Sequence, residues 1–115
     1  SIHERLTKPG FAAYSVSKSA LSALVRAMAV ELGSANIRVN GIRPAAIDTA
    51  MLRRGFGYDE EKISTLKSFH PTNSLGTAEE IAELAYLLSS EKLQFLNGAM
   101  VDCDGGIGSK LHDPS

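Results

Sequence analysis

A single cysteine, no tryptophan, four prolines and almost no charge imbalance mark this 115-residue chain. Cys103 by itself forms no internal disulfide, which excludes a disulfide-held secreted scaffold and makes a reducing, cytoplasmic setting the expectation. A formal net charge of -1 without any block of like charges argues against a nucleic-acid footprint and against a polybasic membrane patch. No apolar run approaches the roughly 18 residues that cross a bilayer, and no secretory leader pattern is present. The three histidines, His3, His70 and His112, are scattered, and none pairs with Cys or Asp at metal-ligand spacing, so no metal site is expected. What is present is ordinary globular material, 43% hydrophobic and 22% charged, enough for one domain with a modest core.

Residues 1–10 are polar and end in Pro9-Gly10, a loop signal. A long helical pattern then runs from Ala12 to Leu32. Leu21, Val25, Met28 and Leu32 continue the face of Tyr14 and Lys18. Val16, Ala20, Ala23, Ala27 and Val30 form a second apolar line, which predicts a helix buried on two sides, against a sheet and against a partner helix. Gly33 is placed to end it. Alternation over Ile37–Ile42 predicts a strand stopped by Pro44, with Ala45–Thr49 a loop at its carboxyl end, where ligands bind in open α/β sheets. Residues 51–73 read as an irregular insert with a weakly helical part over Glu60–Phe69. Thr77 and Glu80 are spaced as a capping box for a helix over Ala78–Ser89. Asn97-Gly98 predicts a turn into a short strand over Ala99–Cys103, and residues 107–115 read as a loose tail.

The order helix, strand, insert, helix, strand implies a parallel pair with a right-handed crossover. Two parallel strands are marginal alone and normally belong to a larger sheet covered on both faces. The expected fold class is therefore α/β, with 1–115 a single partial domain.

Tyr14 and Lys18 stand at i and i+4, one helical turn apart on one face. A phenol ordinarily titrates near pH 10. A neighbouring ammonium favours the phenolate, and a phenol so tuned can exchange a proton with a substrate oxygen. The same spacing also arises by chance in many helices.

Taken together, Tyr14-Ser-Val-Ser-Lys18, Ile37-Arg-Val-Asn-Gly-Ile-Arg-Pro44, Thr49, Gly76-Thr-Ala-Glu-Glu-Ile-Ala82 and Asn97-Gly-Ala-Met-Val-Asp-Cys-Asp-Gly-Gly106 resemble, in order and spacing, the short-chain dehydrogenase/reductase family from its catalytic Tyr-x-x-x-Lys onward. The resemblance covers residues 1–106 and implies the C-terminal portion of a Rossmann-like doubly wound parallel sheet, lacking the N-terminal nucleotide-binding strands. It implies hydride transfer between an alcohol or carbonyl carbon and NAD or NADP, with Tyr14 as general acid/base. Lys18 would tune Tyr14 and hold the nicotinamide ribose, and Ser1, thirteen positions before Tyr14, would hold the substrate oxygen. Pro44, Ala45, Ile47 and Thr49 would meet the nicotinamide end. Ala45 departs from the family's usual glycine, which puts backbone approach there in doubt. Residues 51–73 would be a substrate lid. The implied substrate is a small alcohol or ketone, and the implied partner a second copy through the 12–32 helix. The Gly-rich phosphate-binding turn has no counterpart in these residues, so the 115-residue chain by itself is expected to be inactive. A non-catalytic oligomerisation or interaction module derived from the same fold is the alternative.

Overall fold

A computed structural model describes residues 1–111 and 113. After a short 3-10 turn at Ile2–Glu4, helix α1 spans Ala12–Leu32. The helix ends as a 3-10 turn at Gly33–Ala35, and the left-handed residue that stops it is Asn36 (φ 58°). Gly33 itself stays right-handed at φ -58°, so the expected stop is displaced by three residues. Strand β1 is Gly41–Pro44, α2 is Ala50–Gly55, α3 is Glu60–Phe69 and α4 is Ala78–Leu88. Strand β2 is Met100–Cys103. No helix among the described residues is long and apolar enough to cross a membrane.

The strands pair parallel, with Gly41 opposite Met100 and Pro44 opposite Cys103. The strand expected from Ile37 therefore begins only at Gly41. Before it, one backbone bond, Gly98 N to Val39 O at 2.8 Å, is joined by side-chain bonds in place of a regular ladder. The amide of Asn97 accepts from Val39 N at 2.8 Å, and that of Asn40 accepts from Ala99 N at 3.0 Å. Backbone groups paired by amide side chains are satisfied without being a strand. Gly98, at φ +76°, makes the turn that feeds β2.

The insert contains two helices. Thr49 caps α2 by accepting from Leu52 N, and Asp59 caps α3 by accepting from Glu61 N and Lys62 N. Ile63 on α3 is fully buried, and Ile2, Val25 and Ala29 are the other buried apolar side chains among the described residues. The capping box of α4 forms as its spacing predicts. Beyond β2, Asp104 accepts from Gly106 N at 2.9 Å and from Gly108 N at 3.0 Å, and Ile107–Ser109 is a 3-10 turn. The expectation of a loose tail thus does not hold for 107–109, because one carboxylate ties that turn down. Residues 112, 114 and 115 of that tail lie outside the described residues.

Helix α1 buries one stripe: Ser22, Val25 and Ala29 are buried, and Lys18 and Leu32 are half-buried. Leu21 is exposed, so the buried line lies one residue round from the predicted face. The second apolar line stands open, with Val16 and Val30 exposed.

Candidate active site

Tyr14 sits in the first turns of α1, and Lys18 follows one turn later on the same face. The Lys18 ammonium lies 5.2 Å from the centre of the Tyr14 ring, within cation–π range. Ser1 caps the 3-10 turn at Ile2–Glu4, its hydroxyl oxygen accepting from His3 N at 3.2 Å. The same turn carries His3, whose ring centre lies 5.5 Å from that of Tyr14. The structure thus sets the turn capped by Ser1 against the end of α1 that bears Tyr14 and Lys18.

The 3-10 turn is pinned there by Glu4. Its carboxylate accepts from the buried Ser22 hydroxyl of α1 and, at 3.2 Å, from Arg43 Nη1 of β1. Arg43 also reaches Asp102 of β2 through Nε at 2.6 Å, and Arg5 joins the same carboxylate at 3.2 Å. The ion-pair chain links the Ser1 segment, α1 and the carboxyl ends of both strands. Sequence reading missed it, since Glu4 and Arg43 lie 39 positions apart and no local pattern joins them.

The loop-borne candidates follow β1. Pro44 is its last residue, and Ala45 N donates to Cys103 O at 3.3 Å. Ile47 makes an isolated parallel bridge with Gly76, where Gly76 N donates to Ala46 O and Asp48 N to Gly76 O. Thr49 caps α2. Arg53 on α2 then clamps Asp48 with two hydrogen bonds, at 2.6 and 2.7 Å, and Glu60 with one at 2.9 Å. That hydrogen bond holds the Asp48 carboxyl below its ordinary value. One guanidinium therefore couples the 45–49 loop to both helices of the insert, another link that sequence reading missed.

Cofactor fit divides the molecule. Among the described residues no glycine-rich turn joins a strand to a helix N-terminus, the arrangement that cradles a pyrophosphate. At the other end, an ammonium on α1 and a loop at the carboxyl end of a parallel strand fit a nicotinamide ribose. No cluster that could hold a metal ion exists among the described residues. Burial, then the charges of Glu80 and Asp104, push the Cys103 thiol pKa up, away from the thiolate form that reacts. The larger depression, about 550 Å³, lies between Arg38, Asn40 and Leu88 and includes none of the candidate residues. The chemistry points to the Tyr14 end of α1 instead, where charge and a phenol converge.

The chain is similar to known proteins over nearly all of its length. The family model for enoyl-(acyl carrier protein) reductase matches residues 1–108. The chain is 38% identical over 103 residues to human dehydrogenase/reductase SDR family member 4, covering 90% of this chain and 37% of that protein. It is 35% identical over 111 residues to gluconate 5-dehydrogenase of Gluconobacter oxydans (strain 621H), covering 96% of this chain and 43% of that one. Among solved structures, ElxO with NADP bound superposes with a TM-score of 0.86 at 30% identity, over 96% of this chain and 44% of ElxO. The chain spans about two fifths of the length of these relatives, as the 37% and 43% coverages show.

Proposed function

This chain belongs to the short-chain dehydrogenase/reductase family, and we propose that it supplies the proton-handling half of an oxidoreductase that interconverts an alcohol and a carbonyl. The observation that carries the reading is the Lys18 ammonium 5.2 Å from the Tyr14 ring. A bound NAD or NADP would accept the hydride from the carbinol carbon during oxidation and return it during reduction. Tyr14 takes the hydroxyl proton in the first direction and gives it back to the carbonyl oxygen in the second. Lys18 offsets negative charge at the phenol oxygen while that proton is away and hydrogen-bonds the nicotinamide ribose. The Ser1 hydroxyl holds the substrate oxygen. Pro44, Ala45, Ile47 and Thr49 line the nicotinamide end, and α2 and α3 act as the substrate lid, whose exposed Met51 and Tyr58 are available to a small alcohol or ketone.

The test is Tyr14→Phe in the protein that carries this chain together with a nucleotide-binding part. Turnover should fall at least a thousandfold, at the strong end of general acid/base contributions of about 10²–10⁴. Retained turnover in a folded variant refutes the role. A second reading, a non-catalytic interaction module, is favoured by the open apolar line of α1, with Val30 82% exposed. Titrating the 115-residue chain with NADH and NADPH by fluorescence separates the readings. Tight binding with turnover would overturn the view that this chain needs a phosphate cradle from elsewhere.

A further inference from the structure

Tyr14 is 43% exposed, so little ordinary packing fixes its ring. Two aromatic rings do meet it. His3 approaches edge-on, with centroids 5.5 Å apart at 82°, and Phe11 approaches edge-on at 5.7 Å and 76°. His3 and Phe11 also stack on each other at 4.7 Å and 25°. The three contacts close a triangle. In a triangle, no ring turns about its side-chain torsions without breaking two contacts, and these offset and T-shaped geometries are the favourable ones.

The triangle stands on a rigid base. Ile2, next to His3, is 8% exposed, and Glu4 on its other side is held by Ser22 and Arg43. Ser19 Oγ of α1 donates to Glu4 O at 3.2 Å. Phe11 lies at the N-cap of α1, with the Lys8 ammonium 4.4 Å from its ring centre. Thr7 and Ser15 hydroxyls, 2.7 Å apart, tie the intervening loop to α1.

His3 is poorly suited to carrying protons or binding substrate through Nδ1, which is buried and without a hydrogen-bond partner. Burial, then the Lys8 charge, push its imidazole below the ordinary 6.5, so it stays neutral near pH 7. A neutral ring with a buried nitrogen serves as aromatic surface.

We propose that His3 and Phe11 are positioning residues for Tyr14, two rings that cage the phenol in one rotamer beside Lys18. The inference deepens the proposed proton-handling role of Tyr14 and rests on it for its catalytic consequence, although the cage itself can be observed without turnover. Holding a proton donor in a reactive geometry is worth a large factor, since displacements near 1 Å change rates by about a hundredfold.

Two measurements decide it. In the 115-residue chain, NMR of labelled tyrosine resolves Tyr14 from Tyr58 and Tyr86, the other two tyrosines. Ring currents from the cage should shift the Tyr14 ring protons away from the positions of a solvent-exposed tyrosine. His3→Ala should move them toward the positions of the exposed Tyr58 and Tyr86, whereas His3→Phe should keep them shifted. In the longer protein, His3→Ala should lower kcat roughly ten- to a hundredfold with little change in the KM of the cofactor, and His3→Phe should restore most of it. Unshifted Tyr14 protons in the unsubstituted chain, or His3→Ala leaving both the shifts and kcat unchanged, would overturn the cage. So would a failure of His3→Phe to rescue, because the imidazole nitrogens would then be the active feature. Retained turnover in Tyr14→Phe sinks the catalytic reading instead and leaves the NMR result to judge the cage.

Discussion

Asp48 and Arg53 show at the scale of one residue how the insert is fastened. The two-point hydrogen bond from Arg53 holds the Asp48 carboxyl below its ordinary value of 3.8. A depressed folded-state pKa means the clamp contributes stability above pH 3.8, its unfolded value, and loses it only as pH falls through the lower folded value. Arg53→Met should therefore destabilise the protein at neutral pH, with a difference that persists through mild acid and closes below about pH 4. Denaturant unfolding of both forms across pH measures this. A difference that vanishes already at pH 5–6 would refute it. Amide hydrogen exchange over residues 49–60 should also speed up in Arg53→Met, because the same guanidinium holds Glu60. Lys18→Met should reduce turnover of the longer protein about a hundredfold or more while leaving its unfolding midpoint nearly unchanged, since Lys18 makes no hydrogen bond or ion pair among the described residues. Normal turnover in that variant would detach Lys18 from the chemistry. Tyr14 and Lys18 were legible from sequence because i and i+4 neighbours meet in any helix. His3 and Phe11 were not, because their meeting depends on how a loop folds back onto α1.

At the scale of elements, α4 shows a start written in its own residues. Thr77 Oγ1 accepts from Glu80 N at 3.2 Å and Glu80 Oε2 accepts from Thr77 N at 2.7 Å. Thr77→Ala should cost about 1 kcal/mol, measured by denaturant unfolding. The end of α4 is held differently. Arg38, in the lead to β1, donates to Leu88 O, Leu96 O and Ser90 O at 3.0 to 3.1 Å. A cation at a helix C-terminus also complements its dipole. Arg38→Met leaves three partly buried carbonyls without this donor and should cost about 2–3 kcal/mol, against near zero for exposed Arg26→Met. The start of α4 followed from its cap spacing, whereas the stop of α1 at Asn36 and the whole of α2 did not follow from local pattern. Nor did the start of β1, because Asn40 and Asn97, 57 positions apart, satisfy the backbone that alternation assigned to a ladder. The turn at 105 belongs to this scale too. Gly105 has φ +59°, and a Cβ there would fall 2.6 Å from Thr72 Oγ1.

At the scale of the molecule, surface is left uncovered. The radius of gyration is 16.0 Å, against about 13 Å for a compact domain of this length. Val16, Val30, Met51, Tyr86 and Phe95 are all more than two-thirds exposed. Strand β1 has β2 on one side only in the two-stranded sheet. Exposed edges and apolar faces seek cover, so the 115-residue chain should self-associate at tens of micromolar. Light scattering tests this, and a clean monomer at high concentration would refute it.

The sequence by itself determined helices α1, α3 and α4, the α4 cap, the parallel strand pair and the Tyr14–Lys18 neighbourhood. The helices, the cap and the Tyr14–Lys18 pair depend on residues a few positions apart, through helical pitch and capping chemistry, and the parallel pairing follows from the strand–helix–strand order. Only the tertiary structure decided which stripe of α1 is buried, where β1 begins, that Glu4 and Arg43 pin the Ser1 segment, and that His3 and Phe11 flank the phenol. Those contacts join residues distant in sequence, and local propensity carries no information about which distant partner will satisfy a buried charge or stack on an exposed ring.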